Sequence, residues 1–175
     1  LYLEPSFLVD SGEDTTVDIY DPEELKRRIR EATTRSVPEV EYVLGRMYQE
    51  GSGVYRDYAQ AEKWYSEAAK SEHAKSMVAL ARLYKLGGAS ERIARCMTCA
   101  LKWLHKAAKM KNYHAWYELG LLYEKGDGVF QNYTKALSSY KIAAEGGNII
   151  NAHIKLGLFY QHGIGVDRDI KQAVK

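Results

Sequence analysis

Proline and cysteine are both scarce in this 175-residue chain, with three of the first and two of the second. Pro5, Pro22 and Pro38 all fall within the first 38 residues. Beyond them no backbone donor is removed and no helix need kink. Long apolar runs are missing too, and none approaches the roughly 20 residues that a membrane-spanning helix needs. Neither sign of charge dominates, with 25 Lys and Arg against 23 Asp and Glu. That balance removes the polyelectrolyte signature of a nucleic-acid or anionic-membrane binder. Aromatic residues, by contrast, are plentiful (14 Tyr, 3 Trp and 3 Phe), which argues against disorder. The length allows a sizeable core in one domain or slightly more. The class these features predict is all-helical.

The sequence repeats itself. Leu44-Gly45-Arg46-Met47-Tyr48 returns as Leu80-Ala81-Arg82-Leu83-Tyr84, as Leu119-Gly120-Leu121-Leu122-Tyr123 and as Leu156-Gly157-Leu158-Phe159-Tyr160. The leading leucines are 36, 39 and 37 residues apart. Each is followed by a second mark, Ala61, Ala100, Ala136 or Ala173, at 17, 20, 17 and 17 residues. The longer second spacing places a three-residue insertion in the internal loop of that unit. The chain opens at Leu1 without Met and stops inside a unit, so it reads as a fragment of a longer protein, and missing targeting signals carry no weight.

Both halves of a unit have helical periodicity. Small or apolar residues (Val40, Ser76, Ala115, Ala152) stand four before each leucine, and others follow three and four after it. The second halves carry Ala61, Trp64, Tyr65, Ala68, Ala69, then Ala100, Trp103, Leu104, Ala107, Ala108, then Ala136, Tyr140, Ala143, Ala144. Paired small residues beside one large aromatic let two helices approach closely while the ring fills the remaining gap. Gly45, Gly120 and Gly157 each cost about 1 kcal/mol in a helix interior relative to Ala. The expected compensation is close contact with the paired helix, a limit that Ala81 tests. Between the halves, Gly51-Ser52-Gly53-Val54, Gly126-Asp127-Gly128-Val129 and Gly163-Ile164-Gly165-Val166 supply helix ends and tight turns, with the valine packing back on the core. A phosphate loop is the other reading of such glycines. Here they follow a helix and not a strand, lack a Gly-Lys-Ser/Thr element, and recur.

A unit reading A-x-x-x-L-G-x-x-Y, G-x-G-V, A-x-x-W-Y-x-x-A-A resembles the Sel-1-like repeat, a longer relative of the tetratricopeptide repeat. The resemblance covers about residues 38–175. It implies a right-handed α/α superhelical solenoid of antiparallel helix pairs. The expected layout is an acidic extended leader over 1–21, a capping helix over 22–35, and repeats over 36–73, 74–112, 113–149 and a truncated 150–175. The second unit departs from the pattern at Lys85-Leu86-Gly87-Gly88-Ala89-Ser90, which has no G-x-G-V. Residues 1–25 hold eight carboxylates and no Lys or Arg. Asp21-Pro22-Glu23-Glu24 then has the form of a helix start, and Ser36 with Glu39 forms a second capping box at the entry of the first repeat. Lys26, Arg27, Arg28 and Arg30 are expected on the solvated face of a helix that shields the first repeat's open end, with a basic docking patch as the alternative.

Little in the chain points to catalysis. Cys96 and Cys99 make a C-x-x-C, and a redox pair would use a helix N-terminus or nearby cations to lower a thiol. The alternating strands of a thioredoxin context are absent, and zinc would need two more ligands, so two buried or half-buried thiols at helical spacing are expected. Disulfides stapling each repeat, known in one branch of the family, would need a Cys pair per unit. His73, His105, His114, His153 and His162 lack metal-ligand spacing, and His73 and His105 read as turn or surface residues. Asn132-Tyr133-Thr134 is a glycosylation sequon that keeps a lumenal location open beside a cytoplasmic one. No enzyme activity, cofactor or metal is expected.

What the resemblance implies is a protein-interaction scaffold or adaptor within a membrane-associated or signalling complex. Family roles include endoplasmic-reticulum degradation machinery, chitin synthase regulation and bacterial host interaction. In the related tetratricopeptide groove the ligand-facing positions lie two before, two after and five after the motif leucine. They correspond to Tyr42, Arg46, Gln49; Val78, Arg82, Lys85; Tyr117, Leu121, Glu124; and Ile154, Leu158, Gln161. The early units offer Arg46, Arg82 and Lys85 and the later ones Tyr117, Leu121, Ile154 and Leu158, so the expected ligand is a protein segment with carboxylates at one end and apolar side chains at the other. The other outcome is that these side chains merely pack between neighbouring helices. Homodimerisation through the truncated fourth unit is a further option, without nucleic acid and without direct membrane insertion. An RNA-binding helical repeat and a thiol-redox protein using Cys96 and Cys99 stand as alternatives.

Overall fold

In the computed structural model, residues 37–87 and 95–174 are described, together with Arg27 and Thr34. The described chain runs as helix pairs: α1 (Pro38–Glu50) with α2 (Tyr58–Lys70), α3 (Ala74–Leu86) with α4 (Met97–Lys109), α5 (Tyr113–Lys125) with α6 (Tyr133–Gly147), and α7 (Ile150–His162) with the four-residue α8 (Ile170–Ala173). Among the described residues there is no strand. The second helix of each pair packs most closely on its own partner and then on the first helix of the next pair, which is the all-α solenoid arrangement.

The leader over 1–21 lies outside the described residues. So does the capping helix over 22–35, apart from Arg27 and Thr34, which are both helical. Of the expected Ser36–Glu39 capping box, Ser36 lies outside the described residues; α1 has Val37 at its N-cap, with no side-chain cap bond, and Pro38 at the first helical position. Proline is preorganised for that place and has no N–H to satisfy. Glu39 reaches His73, at the N-cap of α3, and Lys75 of the second unit.

The small-residue pattern works as close approach. A Cβ added at Gly45 would stand 2.5 Å from the Tyr65 ring, and one at Gly120 would stand 2.5 Å from the Tyr140 ring. Both rings are buried, Tyr140 at 0% exposure, so they have no free end to swing aside. In the second unit Ala81 takes the glycine's place and Leu104 the tyrosine's, and both are buried. The core is continuous. Ala61, Tyr65 and Ala69 of α2 share one cluster with Met77 and Leu80 of α3, Leu104 of α4 and Leu119 of α5. Tyr140 and Phe159 carry a second cluster into α7.

The loops within pairs 1, 3 and 4 behave as expected. Gly126 and Gly128 have φ of 70° and 73°, and Val129 returns to the core. In the second unit Gly87 has φ 64°, while residues 88–94 of that turn lie outside the described set. Turns between units use non-glycine residues in the left-handed region, Glu72, Lys111 and Asn148.

Two substitutions with opposite signs test this packing. Gly120→Ala should lower unfolding free energy by about 1–3 kcal/mol, because the new methyl overpacks a ring that cannot retreat. Lys111→Gly should raise it by up to about 1 kcal/mol by relieving a left-handed backbone. Urea denaturation followed by circular dichroism checks both.

Candidate partner-binding face

The twelve positions expected to face a ligand all lie on the first helices, and the structure gives them three different fates. Several are committed to packing. The Tyr42 ring lies 5.8 Å from the Tyr65 ring and 5.4 Å from His73, and the Tyr117 ring lies 5.8 Å from the Tyr140 ring. Val78 is buried, and Leu121 is half-buried against the Phe159 cluster. Gln49 accepts the Tyr65 hydroxyl at 2.7 Å, and Glu124 accepts that of Tyr140. Burial and the adjacent acceptor push Tyr140 well above the usual phenol range.

The cations are tied as well. Arg82 Nε donates to Glu118 Oε1 at 2.8 Å, and Lys85 Nζ donates to Glu118 Oε2 at 2.9 Å. Glu118 belongs to the next unit, and its side chain is only 8% exposed. Burial raises its pKa, but the hydrogen bonds and charges of Lys85 and Arg82 outweigh that and hold it below the usual carboxylate range. Arg46 stands apart, exposed and paired with Glu50 on its own helix at 3.2 Å. The basic half of the face is therefore Arg82 and Lys85 converging on one carboxylate, with Arg46 separate.

The third fate is exposure. On α7, Ile150, Ile154 and Leu158 are 73%, 57% and 41% exposed, at i, i+4 and i+8 of one helical face. Gln161 is exposed below them.

Glu118 is the residue the repeat pattern does not single out. It stands one place before the motif leucine, where the other units carry Val43, Ala79 and Lys155. Lys155 makes the converse contact, donating to Glu124 Oε1 of the preceding unit at 2.8 Å. The missed signal is thus a sign rule: the residue five after one leucine (Lys85, Glu124) opposes the residue one before the next (Glu118, Lys155).

The Sel1 repeat matches residues 38–73, 74–112, 114–148 and 150–175, most of the chain. The chain belongs to the Sel1-repeat family. It is 30% identical over 138 residues to chitin synthase regulatory factor 3 of Schizosaccharomyces pombe, covering 76% of this chain and 14% of that protein. It is 28% identical over 142 residues to the chitin synthase regulator SKT5 of Saccharomyces cerevisiae, covering 77% of this chain and 19% of that one. The chain thus spans about a fifth or less of the length of these relatives. Among solved structures it resembles c5321, a protective antigen of uropathogenic Escherichia coli with an SLR fold, at a TM-score of 0.76 and 33% identity over 90% of this chain and 32% of that one.

One other candidate group in this Sel1 array differs from expectation. Cys96 and Cys99 are not separate thiols; they are bonded to each other, with Cα atoms 5.2 Å apart. Cys96 is the N-cap of α4, and an N-cap side chain folds back over the first turn, which brings its sulfur to residue 99. His73 sits at a turn, as the N-cap of α3, with its side chain 15% exposed. Its Nδ1 lies 2.8 Å from Ser76 Oγ and its Nε2 lies 2.9 Å from Glu39 Oε2. Ser76 is fully buried, so this serine–histidine–glutamate line offers no accessible nucleophile and ties the first unit to the second. Among the described residues no group of three or more His, Cys, Asp or Glu gathers as a metal would require.

Glu118→Gln tests the charged junction. Because the folded pKa of Glu118 is depressed, its contribution is present above the unfolded carboxylate value, about 4.3, and fades as pH falls through the lower folded value. The variant should be about 1–2 kcal/mol less stable at pH 7, discounted because Arg82 is half exposed. Its denaturation curve should converge on the wild-type curve as the medium is acidified.

Proposed function

We propose that this chain is a non-enzymatic scaffold that holds a protein segment along its first helices, within a larger complex. Sel1-repeat proteins generally mediate protein–protein interaction. The finer reading rests on the apolar side chains Ile150, Ile154 and Leu158 of α7, the last first helix among the described residues, where no following pair covers them as α7 covers Leu121 of α5. An exposed run of branched aliphatic side chains supplies the kind of anchor on which most binding energy concentrates. The ligand is a polypeptide whose apolar side chains lie on α7 and α5 and whose carboxylates reach toward Arg46 and the excess positive charge of Arg82 and Lys85 over Glu118. The names of the two fungal relatives make a chitin synthase complex the first partner to test.

The charge pattern supports polypeptide over RNA. A nucleic-acid repeat needs a continuous basic stripe, and Glu118 and Glu124 interrupt this one at consecutive junctions.

Peptide arrays and pull-downs with the intact chain test the assignment. Leu158→Asp should weaken capture of an acidic-plus-apolar segment at least tenfold, which corresponds to about 1.4 kcal/mol. Arg82→Glu should weaken it less, since Arg82 already serves Glu118. Circular dichroism confirms that both variants remain folded. Unchanged capture by both discards the face, and salt-steep capture of RNA replaces the reading.

A further inference from the structure

Three of the four second helices start on a side-chain oxygen. Asp57 accepts the amides of Ala59 and Gln60, Asn132 accepts that of Lys135, and Asp169 accepts those of Lys171 and Gln172. In the second unit the same place is held by Cys96, whose sulfur lies 3.2 Å from the Cys99 amide nitrogen while bonded to Cys99. A neutral disulfide sulfur is a weak acceptor, whereas a thiolate is an anion at the end of the helix that favours anions. The two oxidation states therefore cap α4 with different strength. A thiol at a helix N-terminus is also the more reactive kind, and Cys96 is the N-cap of α4.

The first turn of α4 is also a seat for the next unit. Arg95 Nη2 donates to Asp127 Oδ1 at 2.6 Å, and a Cβ added at Gly128 would lie 2.6 Å from Met97 Cβ. The loop of the third unit thus rests on the residues that flank Cys96. No other junction among the described residues has a sulfur pair at this point.

We infer that Cys96 and Cys99 form a reversible dithiol–disulfide couple that exchanges with a low-molecular-weight thiol and sets how the third unit seats on the second. In reduction, a small thiolate attacks the Cys96 sulfur, the bond between the two cysteines breaks, and Cys99 leaves as a thiolate that takes up a proton. A second small thiolate attacks the small molecule's sulfur in the mixed disulfide and departs as the oxidised dimer. Cys96 is left as the thiolate cap. Two electrons pass from two small thiols to the disulfide, and the oxidised dimer reverses the sequence.

The intact chain is equilibrated in glutathione buffers of graded reduced-to-oxidised ratio, acid-quenched and weighed by mass spectrometry. A single step gaining two hydrogens is expected in the wild type and in neither Cys96→Ser nor Cys99→Ser. A chain that stays disulfide in fully reduced glutathione, or dithiol in fully oxidised glutathione, overturns the couple. In Cys99→Ser, alkylation of Cys96 should reach half-maximal rate below the ordinary thiol value of about 8.5, and below the midpoint for Cys99 in Cys96→Ser. Equal midpoints overturn the capping role. Hydrogen exchange of the amides over 126–131 should differ between the oxidised and reduced wild type, and identical exchange there overturns the link to the junction.

Discussion

The array depends on the distance between paired helices. Gly45 and Gly120 bring the first helix of a pair close enough that a tyrosine ring from the second lies directly on its backbone. A buried side chain of that size stabilises by about 1.5–3 kcal/mol, against about 1 kcal/mol for the interior glycine that admits it. The second unit meets the same constraint with the opposite distribution of volume, a methyl at Ala81 and the slimmer Leu104. Volume is traded across the pair rather than added, as close-packed interiors require.

That trade reaches the surface. A buried tyrosine hydroxyl needs an acceptor, and Gln49 and Glu124 provide one for Tyr65 and Tyr140. Where Leu104 replaces the tyrosine there is no hydroxyl to satisfy, and the corresponding position holds Lys85, which crosses to Glu118 of the next unit. The charge on the first-helix face thus follows from what each pair buries. Positions that bind ligand in related grooves are here shared between stacking and solvent. The largest exposed apolar strip on those helices is on α7, the last of them among the described residues.

The sequence makes the helical pairing, the glycine contacts and the valine-closed turns legible, because each leaves a mark that recurs at 36 to 39 residues. The groove positions were legible as places on a helix but not as free groups. Glu118 occurs once, so no repetition exposes it, and only a comparison across adjacent units reveals that it opposes Lys85. The bond between Cys96 and Cys99 was hidden for a related reason. Spacing of three within a helix reads as two side chains on one face, and it becomes a bond only because Cys96 lies one residue outside the helix, at the N-cap. At the entry of α1, Pro38 takes the first helical position, where its fixed backbone angle suits it.

The exchange of volume between helices is open to a double-mutant cycle at the third unit, pairing Gly120→Ala with Tyr140→Leu to recreate the Ala81–Leu104 arrangement of the second. If close approach governs the pair, the methyl that disrupts the tyrosine background should be tolerated in the leucine background. The two changes would then couple favourably by more than about 1 kcal/mol in urea unfolding. Simple additivity of the two losses would contradict the account.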